Sequence, residues 1–267
     1  MIELNLQKKL NKLTDIIQSY SSVAVAFSGG VDSTFLIRHA HNLLGRKALA
    51  VTAVAPIFSP DEINDAIKFC TQEGIMHLLV NMEEPFLESF SHNPINRCYI
   101  CKKNIFQALL AHPGLKGMVL VDGSNLDDAS DFRPGEKALD ELGVYSPLRE
   151  AGLLKEEIRA ALKDLGVPIW DKPAFACLAS RIPYGETITV EKLEAINSLE
   201  ALLRKNGFDQ VRVRHHGAVA RIEVLPDDRS KFFNTDFMDK INNAAKEAGF
   251  TYAALDLGGY KMGNLNK

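Results

Sequence analysis

The chain has 267 residues, 46% of them hydrophobic and 24% charged, with a formal net charge of −3. This is enough apolar material to bury a core in one large domain or two modest ones. Near-neutral charge of both signs gives no nucleic-acid-coating surface, and no run of about 18 apolar residues is present to span a membrane.

Residues 3–20 read as an amphipathic helix, with Leu4, Leu10, Leu13 and Ile17 as its stripe. The start, Met1-Ile2-Glu3-Leu4, has no basic segment with an apolar core behind it, so a cytoplasmic protein is expected. Val23-Ala24-Val25-Ala26-Phe27 reads as a buried parallel strand, and Thr34 to Ala40 has helical apolar spacing. Between them lies Ser28-Gly29-Gly30-Val31-Asp32-Ser33. Two adjacent glycines allow a tight turn that brings backbone N–H groups against an anion. The following helix N-terminus adds partial positive charge, and the Ser28 and Ser33 hydroxyls add donors. The segment predicts a phosphate cradle, the alternative being an ordinary serine-capped turn. It is not a Walker A loop, because the Gly-Lys-Ser/Thr ending is absent.

Strand and helix patterns then alternate. Strands are predicted at Ala48 to Val54, Met76 to Val80 and Gly117 to Val121, and helices at Pro60 to Gln72 and Tyr99 to Ala111. The expected fold is α/β, a doubly wound, Rossmann-like parallel sheet with helices on both faces. Ligands in such sheets lie beyond the strand carboxyl ends, so Ser28–Ser33 and Asp122-Gly123-Ser124-Asn125 should converge on one crevice. A helix over Leu153 to Leu165 stops at Gly166-Val167-Pro168. From about residue 185 the texture changes. A helix over Val190 to Asn206 precedes two alternating strands, Val211 to Arg214 and Ala220 to Val224, around a His215-His216-Gly217 turn. A helix near Met238 to Ala248 and a strand near Tyr252 to Leu255 complete a smaller α+β domain. The expected division is therefore 1–185 and 186–267, the second serving substrate binding and oligomerisation.

Cys98 and Cys101 form a C-x-x-C, Cys177 stands in Ala176-Cys177-Leu178-Ala179-Ser180-Arg181, and Cys70 reads as core. Four cysteines without an extracellular context point to metal or catalysis rather than disulfides. The C-x-x-C pair fits a redox couple, half a zinc site, two ligands of an iron–sulfur cluster, or two half-buried helix residues. Together with Cys177 it suits a [4Fe–4S] cluster with one iron left without a protein ligand. Arg97, Lys102, Lys103 and Arg181 would favour thiolate over thiol.

The Ser28–Ser33 string resembles the SGGxDS loop of the PP-loop ATP pyrophosphatases. Asp122 to Asp128, Asp131 to Gly135, Tyr145 to Arg149, Pro173 to Arg181 and Val211 to His216 resemble the LarE family across nearly the whole chain. The resemblance implies an ATP-dependent sulfur transferase. ATP would adenylate the carboxylates of pyridinium-3,5-biscarboxylic acid mononucleotide, which become thiocarboxylates for nickel-pincer nucleotide synthesis. It assigns Ser28, Gly29, Gly30, Val31, Asp32 and Ser33 to the ATP phosphates, with Asp32 near Mg²⁺, and adds Asn125, Asp128 and Arg133 to the crevice. Ser180, Arg181, Arg212 and Arg214 would take the nucleotide substrate's phosphate, the alternative for the strand arginines being a solvated face. Glu223, Asp227 and Asp228 are candidates for a second metal. Cys177 would be catalytic, with sulfide either carried on a cluster held by Cys98, Cys101 and Cys177 or taken from Cys177 itself.

The implied partners are this small nucleotide, a sulfide donor and further copies of the chain in a homo-oligomer, with neither nucleic acid nor membrane. Three rivals remain. A PP-loop tRNA thiolase would need a basic RNA-reading surface. An amide-forming PP-loop synthetase would not need the cysteines. A non-catalytic nucleotide or iron–sulfur carrier would release no pyrophosphate.

Overall fold

Short apolar runs alternate with helical segments here and build a parallel sheet whose central strand, Val23–Ala26, is buried, while the edge strand, Met76–Asn81, leaves Met76 and Leu79 exposed. The structure is a computed structural model that describes residues 2–83, 85–130, 134–172 and 176–261. The chain divides into two units. One comprises Met1–Ala55, Pro60–Phe86 and Asn96–Phe175, and the other Pro56–Ser59, Leu87–Ile95 and Ala176–Lys267.

In chain order the elements up to residue 164 are α1 (Ile2–Gln18), β1 (Val23–Ala26), α2 (Val31–Leu44), β2 (Ala48–Val54), α3 (Pro60–Gln72) and β3 (Met76–Asn81). The single turn α4 (Pro85–Glu88), α5 (Arg97–Ala111), β4 (Val119–Val121), α6 (Pro134–Leu142), the single turn α7 (Pro147–Glu150) and α8 (Lys155–Asp164) follow. The sheet order is β3-β2-β1-β4, all parallel. The chain thus runs outward from β1 to β3, then returns to the other side of β1. That reversal places a switch point between the carboxyl ends of β1 and β4, where open α/β sheets bind ligands.

The core of this unit is made by Val23 and Val25 of β1, Phe35, Leu36 and Ile37 of α2, and Leu13 and Ile17 of α1. Leu148, Leu153, Ile158 and Leu162 close it from the later segment. Leu4, expected on the α1 stripe, is 65% exposed. Cys70 is core as expected, 1% exposed, and burial pushes its thiol pKa up to about 12.

The second unit holds α9 (Val190–Lys205), β5 (Val211–His216), β6 (Val219–Val224), α10 (Thr235–Glu247) and β7 (Tyr252–Leu255). Its three-stranded sheet pairs β5 antiparallel and β7 parallel to β6. Thr189 and Asn234 cap α9 and α10 by accepting from Lys192 N and Phe237 N. Leu193, Ile196, Leu199 and Leu203 of α9 are buried with Val211, Val213, Ile222 and Val224 of the hairpin. The hairpin turn is Gly217-Ala218, starting two residues later than the expected His215-His216-Gly217. His215 and His216 complete β5, His215 is 9% exposed, and the surface turn foreseen for them is incorrect. Among the described residues no helix is long and apolar enough to cross a membrane.

Leu36 is fully buried in the first unit, so Leu36→Ala should lose about 2–5 kcal/mol in urea unfolding. Leu4→Ala, on exposed surface, should stay within about 0.5 kcal/mol of wild type in the same measurement.

Candidate active site

The phosphate-cradle segment leaves the buried end of β1 and enters α2 without a side-chain cap. Gly29 has φ +68°, a left-handed conformation that a residue with a side chain resists. Gly30 is the N-cap of α2 and supplies no side-chain acceptor, so the first-turn N–H groups of Val31, Asp32 and Ser33 are left for another partner. The serines shape the loop around this opening. Ser28 Oγ and Ser33 Oγ lie 3.2 Å apart, the Gly30 N–H donates to Ser28 Oγ, and Ser33 Oγ donates to the Gly30 carbonyl. The arrangement suits an anion.

The loop after β4 meets it. A Cβ on Gly123 would stand 3.0 Å from Ser33 N and 3.1 Å from Ser33 Cα, so a side chain there would push against the Ser33 backbone and glycine favours the contact. Asp122 fixes this second loop by accepting from Ser146 Oγ at 2.6 Å and from Ser124 N at 3.2 Å. Asn125 is fully buried; its N–H donates to Asp128 Oδ2 and its Oδ1 accepts from Asp127 N. Asn125 Nδ2 and Asp32 Oδ1 are both buried and make no hydrogen bond of good geometry, although the Asn125 amide faces the Asp32 carboxyl. Polar groups so weakly satisfied beside a glycine-rich turn suit a polar ligand. Ser28–Ser33, Asn125 and Asp128 thus belong to one unit around the switch point, and Arg133 lies outside the described residues.

Burial raises the Asp32 carboxyl above its ordinary value. Lys155 opposes this, Asp128 adds to it, and Asn125 again opposes it. Lys155, the first residue of α8, places Nζ 3.4 Å from Asp32 Oδ2, while its N–H donates to Asp127 Oδ2. Lys172 places Nζ 3.4 Å from the Gly29 carbonyl and 3.1 Å from Asp65 Oδ2. Sequence reasoning missed both lysines. The only available signal was that the loop itself carries no basic residue.

In the second unit, Cys177 is half-buried and is the N-cap of a 3-10 turn, Leu178–Arg181. The Leu178 N–H donates to the Ile57 carbonyl, and Asn93 Nδ2 donates to the carbonyls of Ile182 and Pro183. Arg181 is 1% exposed. Its guanidinium grips Glu200 through Nε and Nη2, while Nη1 donates to the carbonyls of Ala176 and Cys177 and to Ser180 Oγ. The residue therefore holds the backbone of the thiol segment. Glu200 keeps a depressed pKa despite its burial, because Arg181 and the Val213 N–H favour its ionised form.

Arg212 and Arg214 are buried too, so no solvated strand face exists there. Arg214 pairs with Glu223 at 2.9 Å and donates to the Ser180 carbonyl. Arg212 lies 5.2 Å from the Tyr260 ring centre, and burial followed by the Arg181 charge lowers its pKa. Glu223 accepts from Arg214 and Arg221, whereas Asp228 pairs with Lys231.

Cys98 and Cys101 occupy the first turns of α5, one exposed and the other half-buried. An i, i+3 spacing puts both on one helix face. Among the described residues, no group of three or more His, Cys, Asp or Glu side chains is gathered for a metal ion.

Three relatives fix the comparison. The chain is 41% identical over 263 residues to an uncharacterised protein of Synechocystis sp., covering 98% of each. It is 35% identical over 263 residues to pyridinium-3,5-bisthiocarboxylic acid mononucleotide synthase of Lactiplantibacillus plantarum, covering 98% of this chain and 95% of that one. Glutamine-hydrolysing GMP synthase of Clostridium acetobutylicum is 25% identical over 220 residues, 74% of this chain and 42% of its own. No protein-family model matches the chain.

A carboxyl whose pKa rises on folding binds more protons in the folded state between the two values, so stability falls as pH climbs through that interval. Asp32→Asn should therefore raise Tm at neutral pH, with the gain shrinking toward the carboxylate range, where the wild-type group is already protonated. Scanning calorimetry across pH checks this, and equal Tm at neutral pH would mean that Lys155 fully offsets the burial.

Proposed function

The chain belongs to the LarE family and is an ATP-dependent transferase; we propose that it transfers sulfur to the carboxylates of pyridinium-3,5-biscarboxylic acid mononucleotide. The observation that carries this reading is the uncapped, glycine-rich turn at the switch point, with weakly satisfied Asp32 Oδ1 and Asn125 Nδ2 beside it. A carboxylate is a poor electrophile. Its oxygen attacks the α-phosphorus of ATP, the α–β phosphoanhydride bond breaks, and pyrophosphate leaves. The resulting acyl-adenylate then accepts sulfide at its carbonyl carbon and expels AMP, giving the thiocarboxylate.

In this reading the N–H groups of α2's first turn and the serine hydroxyls hold the departing pyrophosphate. Asp32, with Asn125 and Asp128, would face the Mg²⁺ that arrives with ATP, and the family resemblance assigns Arg133 to the same nucleotide. Ser180, Arg212 and Arg214 take the substrate phosphate. Support comes from the cationic groups gathered in the second unit, where Arg181, Arg212 and Arg214 are buried close to Ser180 in sequence or by contact. Guanidinium forks match phosphate oxygens. Arg181 belongs to this group while fixing the Cys177 backbone.

For the sulfur source, Cys98, Cys101 and Cys177 would hold a [4Fe–4S] cluster. Two of the three donors share a helix turn, and their thiol chemistry fits that group. When bound, such a cluster supplies an iron with an open position able to carry sulfide. The second reading is a sacrificial Cys177, favoured by the half-buried thiol at the head of a clamped turn. We place the protein in the cytoplasm as a homo-oligomer supplied by a sulfide donor, with residues 1–185 serving nucleotide chemistry and 186–267 substrate binding and assembly.

Protein, ATP and the biscarboxylate mononucleotide should release pyrophosphate only together, and with sulfide added they should yield a product in which sulfur replaces carboxylate oxygen, read by mass spectrometry. Pyrophosphate release without sulfur incorporation would sink the transferase reading. Anaerobically purified protein should contain iron and acid-labile sulfide, and Cys98→Ala should lose both. A Cys177 lighter by one H₂S after turnover would instead establish the sacrificial route.

A further inference from the structure

The phosphate loop has an electrostatic deficit. A triphosphate brings several negative charges, yet the only charged side chain in Ser28–Ser33 is Asp32, an acid. Helix-terminal N–H groups supply about half an elementary charge. A Walker A loop carries its own lysine, and this one does not. Mg²⁺ arriving with ATP offsets part of this charge, and cationic side chains from elsewhere in the fold can offset more.

Among the described residues, two ammonium groups reach the loop. Lys155 is committed to Asp32, whose charge it neutralises. Lys172 stands differently: it touches the Gly29 carbonyl, at the turn that shapes the cradle, and pairs with Asp65 of α3. The Asp65 side chain is 53% exposed, whereas that of Lys172 is 18% exposed. An ion pair to so exposed a carboxylate is weak and easily exchanged. The cation is kept beside the loop, not in open solvent. Its backbone is anchored independently, since Arg159 donates to the carbonyls of both Trp170 and Lys172. The Trp170 ring is itself covered by Lys163 Nζ at 4.9 Å. A fixed base with an exchangeable, rotatable point charge is what lysine offers and arginine does not.

We propose that Lys172 is a phosphate ligand of the nucleotide site, its ammonium passing from Asp65 to the triphosphate when ATP enters. This rests on the ATP-dependent reading above and deepens it. The competing account is a latch that merely ties the Pro168–Asp171 turn to the loop.

Titration calorimetry of the whole protein with Mg²⁺ and either ATP or inorganic pyrophosphate separates the two. Lys172→Met should weaken both ligands by about tenfold, the loss of one charged hydrogen bond. Lys172→Arg should recover part of that loss. Asp65→Asn breaks the same contact but leaves the cation, so it should bind as wild type or tighter. Unchanged binding in Lys172→Met overturns the assignment, as does an equal loss in Asp65→Asn, which is the signature of a latch. Sulfur transfer does not enter these titrations, so failure of the proposed chemistry and failure of this assignment remain distinguishable.

Discussion

Because Gly123 has no side chain, the loop after β4 can lie against the backbone of Ser33, and the proposed nucleotide site depends on that approach. The sheet order β3-β2-β1-β4 opens a gap at the switch point, but a gap alone is not a site. The close contact brings together two loops from distant parts of the chain at the carboxyl ends of β1 and β4. Asp122 keeps the second loop in shape through hydroxyl and N–H donors, which lets its neighbour Asn125 stay buried with its amide weakly satisfied. Groups in that state suit a polar ligand.

The second unit follows a different physical logic, built on buried charge. A buried pair is a poor source of stability, because desolvation consumes most of the Coulomb gain, and removing one partner costs about 3–5 kcal/mol. What the Arg181–Glu200 pair supplies is placement. One guanidinium links a helix carboxylate to two carbonyls at Ala176 and Cys177, so the thiol residue starts from a fixed backbone. Arg181 was expected at a phosphate because guanidinium forks match oxyanions. In the structure, carboxylate and carbonyl oxygens occupy most of its fork.

Much of the fold was legible because periodicity is a local property. The strands Ala48–Val54 and Tyr252–Leu255 and the helix Pro60–Gln72 have the bounds that their apolar spacing implies. The hairpin was displaced because His215 and His216 look polar in sequence, yet β5 continues through them: His215 packs against Phe250 and His216 accepts from Arg221. Helix α6 was not anticipated. In the site, the loop and its Asn125 partner were readable from their positions after strands. The lysines were not, since Lys155 meets Asp32 across 123 positions and Lys172 meets Gly29 across 143. Pairings of that range leave no local pattern.

The burial of Cys70 has a practical corollary for anyone counting thiols. With its proton held to about pH 12 and its sulfur sealed in the core, it is silent toward alkylating reagents while the fold is intact. Any reagent consumed by native protein therefore reads Cys98, Cys101 and Cys177 against a dark background, and the fourth equivalent surfaces only on denaturation.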